Sequence, residues 1–304
     1  MNDTIKAMVL ASFAGDALAL GVHWIYSTRK IAEQYGRVER YLKPGPDSYH
    51  GTKDSGEFTH YGDQTFVLLE SVAAVGRFDP EDFSRRWQSL FRDYPGYYDQ
   101  ATRATLANLA SGLNPLRAGS LSSDLSAASR IAPLVCMYHG DEETLVEAAR
   151  TQTAMTHDDP LVVDAAEFFA RVTCRVLQGE RPSMAAAQTA RERFGGSMLE
   201  EWTGKGMSAA QGDSVATIKA YGQSCHIPDA FPGVIHLVSR YEDDLREALV
   251  QCVMAGGDSA GRGMMAGMVL GARGGMDAIP PEWVAGLKKG RQIGMLVDRI
   301  SARS

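Results

Sequence analysis

The spacing of apolar residues is the feature that most constrains the fold of this sequence. Val162, Ala165, Phe169, Val172 and Val176 follow one another at intervals of three and four residues. Such intervals place side chains on one face of a helix, whereas a half-buried strand would alternate apolar and polar residues. Alternation is nearly absent from the chain, so we predict an all-α protein.

The predicted helices have recognisable start signals. Asp79 and Asp159 each precede a proline, and this pair is typical of a helix N-terminus. The apolar run 231–241 is too short to separate a helix from a strand. Because we find neither a repeat nor a linker, we predict one domain over residues 1–304. The longest irregular stretch, 41–61, is rich in Pro, Gly, Asp and His, and loops of that length are usually functional.

Charge and composition exclude several classes of protein. The chain has 304 residues, and 31 Lys and Arg against 37 Asp and Glu give a formal net charge of -6. The basic residues do not cluster, which argues against nucleic-acid binding. No stretch reaches the roughly 18 uninterrupted apolar residues of a membrane span, and Asp16 interrupts the apolar start of the chain. We therefore expect neither a membrane protein nor a signal peptide.

The cysteines favour a reducing compartment. Cys136, Cys174, Cys225 and Cys252 are far apart and match no metal-binding spacing. Each lies in an apolar or helical stretch, so we interpret them as reduced core residues of a cytoplasmic protein.

Three glycines predict one unusually close helix contact. Gly263, Gly267 and Gly271 recur every four residues and so form one bare helix face. A glycine inside a helix costs up to about 1 kcal/mol relative to alanine, which only close packing or ligand approach would offset. We expect this helix to lie tightly against a neighbour, with its N-terminus directed towards the functional site.

Asp16 is predicted to be buried. It shares a helix face with Val9, Phe13 and Leu20, and a buried carboxylate must be paired, hydrogen-bonded or bound to a cation. The ordinary interpretation is that it accepts hydrogen bonds from a neighbouring helix. Taken alone, Asp16 favours that interpretation over a functional one.

Two further aspartates, Asp63 and Asp258, lie at predicted helix starts. They can be ordinary N-caps, worth about 1 kcal/mol each. Alternatively, two helix N-termini converge and offer carboxylates and hydroxyls to a hard cation such as Mg²⁺. Spacing alone favours caps. His157, in the turn before Asp159-Pro160, can act as an acid, a base or a ligand, or can simply orient the loop.

Aromatic residues surround two of these segments. His23, Trp24 and Tyr26 follow the first helix, and the loop 41–61 ends with His60 and Tyr61. With Tyr49 and His50 of the same loop, they suggest the wall of a pocket.

Taken together, these segments resemble the ADP-ribosylglycohydrolase family, whose members include arginine- and serine-directed ADP-ribose hydrolases and the jellyfish lens crystallins. The resemblance runs in order along almost the whole chain. The matching segments are Gly15-Asp16-Ala17-Leu18, Asp63-Gln64-Thr65, Arg130-Ile131-Ala132-Pro133-Leu134, Thr156-His157-Asp158-Asp159-Pro160 and Gly256-Gly257-Asp258, followed by Ala266-Gly267, Gly271-Ala272, Gly275 and Ile279-Pro280.

The resemblance implies an orthogonal helical bundle whose active site holds two Mg²⁺ ions and hydrolyses the bond at the anomeric carbon of ADP-ribose. Carried over to matching positions, the implied catalytic residues are Asp63, Asp258 and His157. The implied metal ligands are Asp63, Thr65 and Asp258. The implied substrate-binding residues are Asp16, His23, Trp24, Tyr61, Gln64 and Ser126.

The sequence also departs from the family pattern at ligand positions. Gly62 stands where the family has threonine, and Gln64 stands where it has a second acid. In the other loop Ala260 replaces an acid and Gly261 replaces a threonine. Two carboxylates cannot neutralise two divalent ions, and an amide is a poor ligand for a hard ion. We therefore expect one Mg²⁺ ion or none.

Two functions remain open at this point. The first is a hydrolase that cleaves an N- or O-glycosidic bond of an ADP-ribose-like or related ribosyl substrate, with a retuned site and a small-molecule or ADP-ribosylated partner. The second is an inactive family member that binds a ligand or serves a structural role, as the crystallins do. The sequence makes no prediction about the oligomeric state.

Overall fold

Helices make up the regular structure of the computed structural model, which describes residues 2–303. They are α1 (Asn2–Ala19), α2 (Thr28–Tyr35), α3 (His60–Val75), α4 (Pro80–Arg92), α5 (Gln100–Ala110), α6 (Ser126–Ser129), α7 (Ala132–Tyr138), α8 (Glu142–Ala154), α9 (Pro160–Leu177), α10 (Pro182–Arg193), α11 (Met198–Ser208), α12 (Ser214–Tyr221), α13 (Ile227–Arg240), α14 (Leu245–Met254), α15 (Ser259–Gly274), α16 (Pro281–Gly286) and α17 (Gly290–Ser301). No strand forms between residues 2 and 303, so the prediction of an all-α fold is confirmed.

Helices α1 and α15 form the closest helix pair at the centre of the structure. A Cβ atom on Gly267 would overlap the carbonyl oxygen of Ala11, and one on Gly263 would lie 2.9 Å from the carbonyl oxygen of Gly15. A Cβ atom on Gly271 would lie 2.9 Å from the carbonyl oxygen of Ala7, in the same helix. The bare face predicted for α15 is confirmed, and it lets two backbones approach where side chains would hold them apart.

Most predicted helix starts are confirmed, with one correction. Asp79 and Asp159 cap α4 and α9 through their carboxylates, and the ambiguous run 231–241 lies largely in α13. Helix α3, however, begins at His60, because the Thr59 side chain accepts a hydrogen bond from the amide of Tyr61. Asp63 therefore lies inside the first turn, and its interpretation as the N-cap is wrong.

The first helix is buried along almost its whole length. By length and composition, the stretch Asn2–Val22 is the one segment among residues 2–303 that could cross a membrane. Nearly all of it is enclosed by other helices, as is common for the central helix of a folded domain.

Two isolated β-bridges hold the segments that surround the candidate site. Ser120 pairs in parallel with His157, and Asp124 pairs in antiparallel fashion with His226. In the first bridge, the amide of Ser120 donates to the carbonyl oxygen of Thr156 at 3.0 Å. The amide of Asp158 donates to the carbonyl oxygen of Ser120 at 2.7 Å. The segment 120–124 is thereby fixed between two loops that are distant in sequence.

The cysteine prediction needs one correction. Cys136, Cys174 and Cys252 are buried, but Cys225 is partly exposed in the loop before α13 and lines a cavity. All four are free thiols.

Candidate active site

The loop before α15 lies between the loop after α1 and the loop after α12, and backbone hydrogen bonds join it to both. On one side, the amide of Trp24 donates to the carbonyl oxygen of Gly257 at 2.9 Å, and the amide of Gly257 donates to the carbonyl oxygen of Ile25 at 3.0 Å. On the other side, the amide of Asp258 donates to the carbonyl oxygen of Gln223 at 2.8 Å. Gly257 has φ of 63°, and a Cβ there would overlap the backbone of Gln223. Only glycine fits this crossing, which fixes the position of the following aspartate.

Trp24 is the only non-glycine residue with positive φ among residues 2–303, at 64°. A left-handed backbone at a bulky residue costs about 1–3 kcal/mol and occurs preferentially at functional sites. Its backbone bond to Gly257 holds this conformation in place.

Asp258 is buried and has no direct ion pair with a lysine or arginine among residues 2–303. It precedes α15, yet its carboxylate caps no amide of the helix, so the interpretation of its side chain as an ordinary cap is wrong. Neither of its oxygens has a hydrogen-bond partner among residues 2–303, and His23 Nε2 lies 3.4 Å from Oδ1. Burial raises the pKa of Asp258, against the opposing effects of the Arg262 and His60 charges and of the polar groups of Trp24 and Tyr61. An unpaired buried carboxylate is costly, which indicates a functional role.

The surroundings of Asp258 explain one departure from the family pattern, the glycine at position 261. A Cβ at Gly261 would lie 2.9 Å from Oδ2 of Asp258, so a larger residue would press on the carboxylate. The amide of Ala260 lies 3.4 Å from His23 Nδ1, and burial lowers the pKa of His23. His23 is therefore neutral, and it faces the helix start and the aspartate.

Asp99, Asp124 and His157 form a second group of buried polar side chains. One ligand atom from each lies within 4.8 Å of the others. Burial and the neighbouring charges of Asp258 and Asp99 raise the pKa of Asp124 to about 8. Burial lowers the pKa of His157 to about 3. Burial opposes the ionisation of Asp99, but the hydrogen bond and charge of His60, the charge of His157 and the amide of Thr102 together outweigh it and lower the pKa of Asp99.

Aromatic rings enclose the space next to these carboxylates, as the sequence suggested. The Trp24 ring lies 4.6 Å from His23, 5.3 Å from Tyr49 and 5.1 Å from Tyr97 between centroids. Trp24, Tyr49 and Tyr97 line a cavity of about 320 Å³ together with Asp99 and Asp124. Three buried histidines, His23, His50 and His60, stack behind this wall. The cavity thus combines apolar rings with convergent acidic groups.

The structure places Asp63 in different surroundings. Lys53 Nζ lies 2.5 Å from Oδ2 of Asp63, the Tyr94 hydroxyl donates to the same oxygen at 2.7 Å, and Lys289 Nζ lies 3.9 Å from Oδ1. These residues line a separate cavity of about 260 Å³. Two ammonium groups and a hydroxyl already satisfy this carboxylate.

The positions implied as Mg²⁺ ligands do not fit a pair of metal ions. Asp63 is neutralised by lysines, and Thr65 donates its hydroxyl to the carbonyl of Tyr61 at 2.9 Å. The carboxamide oxygen of Gln64 accepts from Trp87 Nε1 at 2.7 Å and from Arg130. A threonine at Gly62 would be excluded, because its Cβ would lie 2.5 Å from Oδ2 of Asp16. Hard cations need several oxygen ligands, and the family positions do not supply them here.

Three more of the residues implied as substrate-binding make structural contacts near the site: Asp16, Tyr61 and Ser126. Asp16 accepts from the amide of Thr59 at 2.8 Å and from its hydroxyl at 2.5 Å, which matches the ordinary interpretation and anchors the start of α3. The Tyr61 hydroxyl lies 3.4 Å from Oδ2 of Asp124. The amide of Ser126 donates to Oδ1 of Asp124 at 2.8 Å.

Sequence reasoning missed Asp99, Asp124, Tyr97 and the place of Cys225. Asp99 caps α5 through the amide of Thr102 and so looks like an ordinary helix start. Asp124 lies in a loop without any motif, and only the two β-bridges bring it to the site. The one available signal was the segment 93–99, which contains three tyrosines and two aspartates and ends at Asp99.

Three comparisons relate this site and fold to known proteins. A family model described as ADP-ribosylglycohydrolase matches residues 1–304. The chain is 25% identical to ADP-ribosyl-[dinitrogen reductase] glycohydrolase of Rhodospirillum rubrum, over 99% of this chain and 97% of that protein. It is 24% identical to Crystallin J1A of Tripedalia cystophora, over 99% and 97%. A solved structure described as an ADP-ribosylglycohydrolase-related protein complex has the same fold, with a TM-score of 0.77 at 23% identity over 100% of this chain and 98% of that one. The chain therefore belongs to the ADP-ribosylglycohydrolase family.

Proposed function

We propose that this protein is a glycohydrolase that cleaves the bond between the anomeric ribose carbon and a nitrogen or oxygen leaving group in an ADP-ribosylated or related ribosyl substrate. Family membership supports the reaction class. The observation that carries the proposal is the unpartnered, buried carboxylate of Asp258, close to an aromatic cavity that Asp99 and Asp124 line. Buried carboxylates are the usual means by which proteins hydrolyse glycosidic bonds.

The reaction needs a proton donor, a water molecule and negative charge near the sugar. Water adds to the anomeric carbon, the glycosidic bond breaks, and the leaving group takes a proton. We assign proton transfer to Asp258, because its oxygens are free and burial raises its pKa, which favours the protonated form at higher pH. Asp99, whose pKa is lowered, provides negative charge for a transition state with oxocarbenium character, and Asp124 adds to that charge only when it ionises, at a pKa of about 8. His157 is held neutral and can accept a hydrogen bond at Nε2.

Substrate binding is assigned to the aromatic wall. Trp24, Tyr49 and Tyr97 offer ring faces and edges to a sugar or a base. A second cavity of about 550 Å³ shares Trp24 and Tyr49 and adds His23 and Lys30 to the lining. The two volumes fall in the usual range for small-ligand sites of about 300–1,000 Å³. We therefore propose a small-molecule or ADP-ribosyl ligand and no nucleic-acid or membrane partner.

A panel of purified substrates tests the proposal. ADP-ribosyl-arginine, ADP-ribosyl-serine and O-linked ADP-ribose esters are incubated with wild type and Asp258→Asn, and release of ADP-ribose is followed by chromatography. We expect release from at least one substrate, reduced about 100-fold or more in the variant. Release from none of them, or an equal rate in Asp258→Asn, contradicts the proposal.

The alternative is an inactive member that binds a ligand or serves a structural role. It is favoured by one observation, the absence of acidic or hydroxyl groups at Gly62, Gln64, Ala260 and Gly261. Thermal shift with ADP-ribose separates the two functions. A rise in Tm without turnover of any substrate supports the binding protein, whereas turnover excludes it.

A further inference from the structure

We propose that Asp99, Asp124 and His157 bind one divalent metal ion of the Zn²⁺ or Mn²⁺ type at the wall of the aromatic cavity, at a place other than the family motif positions. The inference deepens the proposed function, but it rests on metal-ligand geometry and is tested by metal binding. One ligand atom from each residue lies within 4.8 Å of the other two. Ligands of a tetrahedral ion at about 2.1 Å are about 3.4 Å apart, so a small contraction would complete the site.

His157 is oriented as a ligand. Its Nδ1 lies 3.1 Å from the hydroxyl oxygen of Thr156, and its Nε2 is buried without a partner among residues 2–303. Thr156 Oγ1 also accepts from Arg130, and the carbonyl of Thr153 lies 3.5 Å away as the acceptor for its proton. Nδ1 of His157 is then the donor, which leaves the lone pair on Nε2. A histidine ligand held by a hydrogen bond through its second nitrogen is the usual arrangement at metal sites.

Each carboxylate accepts a backbone amide at Oδ1 and faces a neighbouring polar side chain at Oδ2. Oδ1 of Asp99 accepts from the amide of Thr102 at 2.7 Å, and Oδ1 of Asp124 accepts from the amide of Ser126 at 2.8 Å. Oδ2 of Asp99 faces His60 at 3.1 Å, and Oδ2 of Asp124 faces Tyr61 at 3.4 Å. Such outer contacts orient ligating carboxylates in metalloproteins.

The side chains that directly face the carboxyl groups of Asp99 and Asp258 are histidines, His60 and His23. Among residues 2–303, no lysine or arginine forms an ion pair with Asp99, Asp124 or Asp258. The nearby buried arginines donate to neutral groups, Arg130 to Gln64 and Thr156, and Arg262 to backbone carbonyls. A bound divalent cation would place positive charge directly between Asp99 and Asp124 and would favour the ionised form of Asp124.

The donor set selects the kind of ion. Two carboxylates and one imidazole suit Zn²⁺ or Mn²⁺. Imidazole is a common ligand of Zn²⁺, and carboxylates bind both Zn²⁺ and Mn²⁺. Mg²⁺ prefers oxygen ligands in near-octahedral geometry, and this site offers a nitrogen. We therefore expect Zn²⁺ to bind more tightly than Mg²⁺.

Metal titration tests the site. The full chain is stripped with a chelator and titrated with Zn²⁺, Mn²⁺ or Mg²⁺ against a chromophoric competitor, and bound metal is counted by mass spectrometry after gel filtration. We expect one Zn²⁺ per chain and an affinity about 100-fold or more weaker in Asp124→Asn and His157→Gln, since loss of outer-shell partners alone costs about 10–100-fold. The matched variant Asp63→Asn should bind within about threefold of wild type.

Unchanged affinity in Asp124→Asn and His157→Gln, loss in Asp63→Asn, or no bound ion overturns the inference. If the variants fail to fold, as judged by circular dichroism, anomalous diffraction from Zn²⁺-soaked wild-type crystals decides. A peak among Asp99, Asp124 and His157 supports the site, and a peak at Asp63 or no peak overturns it. Metal binding at the site without turnover of any substrate would reject the proposed function while leaving the metal site intact.

Discussion

Asp63 and Asp258 lie in the two segments that match the family's metal-binding motifs, yet their carboxylates are paired very differently. Lys53, Lys289 and Tyr94 satisfy Asp63, whereas Asp258 has no hydrogen-bond partner and no ion pair with lysine or arginine. A carboxylate with two nearby ammonium groups is a stable structural element. A buried carboxylate without them costs stability, and such cost is typical of functional sites. On this difference rests our proposal that the chemistry takes place on the Asp258 side.

The largest expected effect is on catalysis by Asp124→Asn. The variant keeps the shape and the hydrogen bond from the amide of Ser126 but loses the titratable carboxyl group at the cavity wall. We expect kcat/KM on an ADP-ribosylated substrate to fall about 100- to 10,000-fold. Because Asp258 and Asp99 repel an ionised Asp124, the free energy of unfolding should stay equal or rise. A fall in both activity and stability would indicate a structural role, and urea unfolding beside steady-state kinetics distinguishes the two.

Lys53→Met tests the opposite side of the comparison. It removes the nearest cation from Asp63, whose side chain is 9% exposed. Breaking a buried ion pair costs about 3–5 kcal/mol, and we expect about 2–4 because Lys289 and Tyr94 remain. The double variant with Asp63→Asn should recover part of the loss, as measured by a double-mutant cycle in urea. Additive losses would show that the two residues do not interact.

Gly267→Ala tests how α15 is positioned beneath Asp258. The added methyl would overlap the backbone of α1 at Ala11, so we expect a loss of about 1–3 kcal/mol. Gly204→Ala in α11 is the matched control, because nothing lies within 4 Å of its added methyl. The control should gain up to about 1 kcal/mol from helix propensity. Equal changes in the midpoint of thermal unfolding for both variants would refute the close contact.

The smallest effect concerns pH. Burial first, and then the charges of His60 and Lys53, lower the pKa of His50 to about 3, against 6.5 for an unperturbed histidine. The unfolded chain therefore binds the proton more readily, so stability falls as pH drops from about 6.5 towards 3. Between pH 7 and pH 6 we expect a loss of about 0.5–1 kcal/mol from this group. His50→Phe should remove that part of the slope in urea unfolding, whereas Lys53→Met should retain it. An unchanged slope in His50→Phe would show that His50 is not buried in its neutral form.

The sequence predicted the helices well because their signals are local. The intervals within α9, the acid-proline starts of α4 and α9, and the bare face of α15 depend on residues a few positions apart. Long-range pairing left no such signal. Lys53 lies ten residues before Asp63 in an irregular loop, and nothing in the sequence shows that they meet.

The site was predicted only in part for the same reason. Asp258 and His157 belong to segments that resemble the family, but their charge environment depends on Asp99 and Asp124. Asp99 looks like an ordinary cap of α5, and Asp124 reaches the site through backbone pairing with His226. Cap residues that also line a cavity cannot be distinguished by sequence spacing.

The most direct test compares Asp258→Asn with Asp63→Asn in one hydrolysis assay on an ADP-ribosylated substrate. If the chemistry lies on the Asp258 side, kcat/KM falls about 100-fold or more in Asp258→Asn and less than about tenfold in Asp63→Asn. Thermal unfolding in parallel should show that Asp63→Asn is the less stable of the two, because it alone disrupts the lysine contacts. Equal loss of activity in the two variants, or a greater loss in Asp63→Asn, would contradict this placement of the active site.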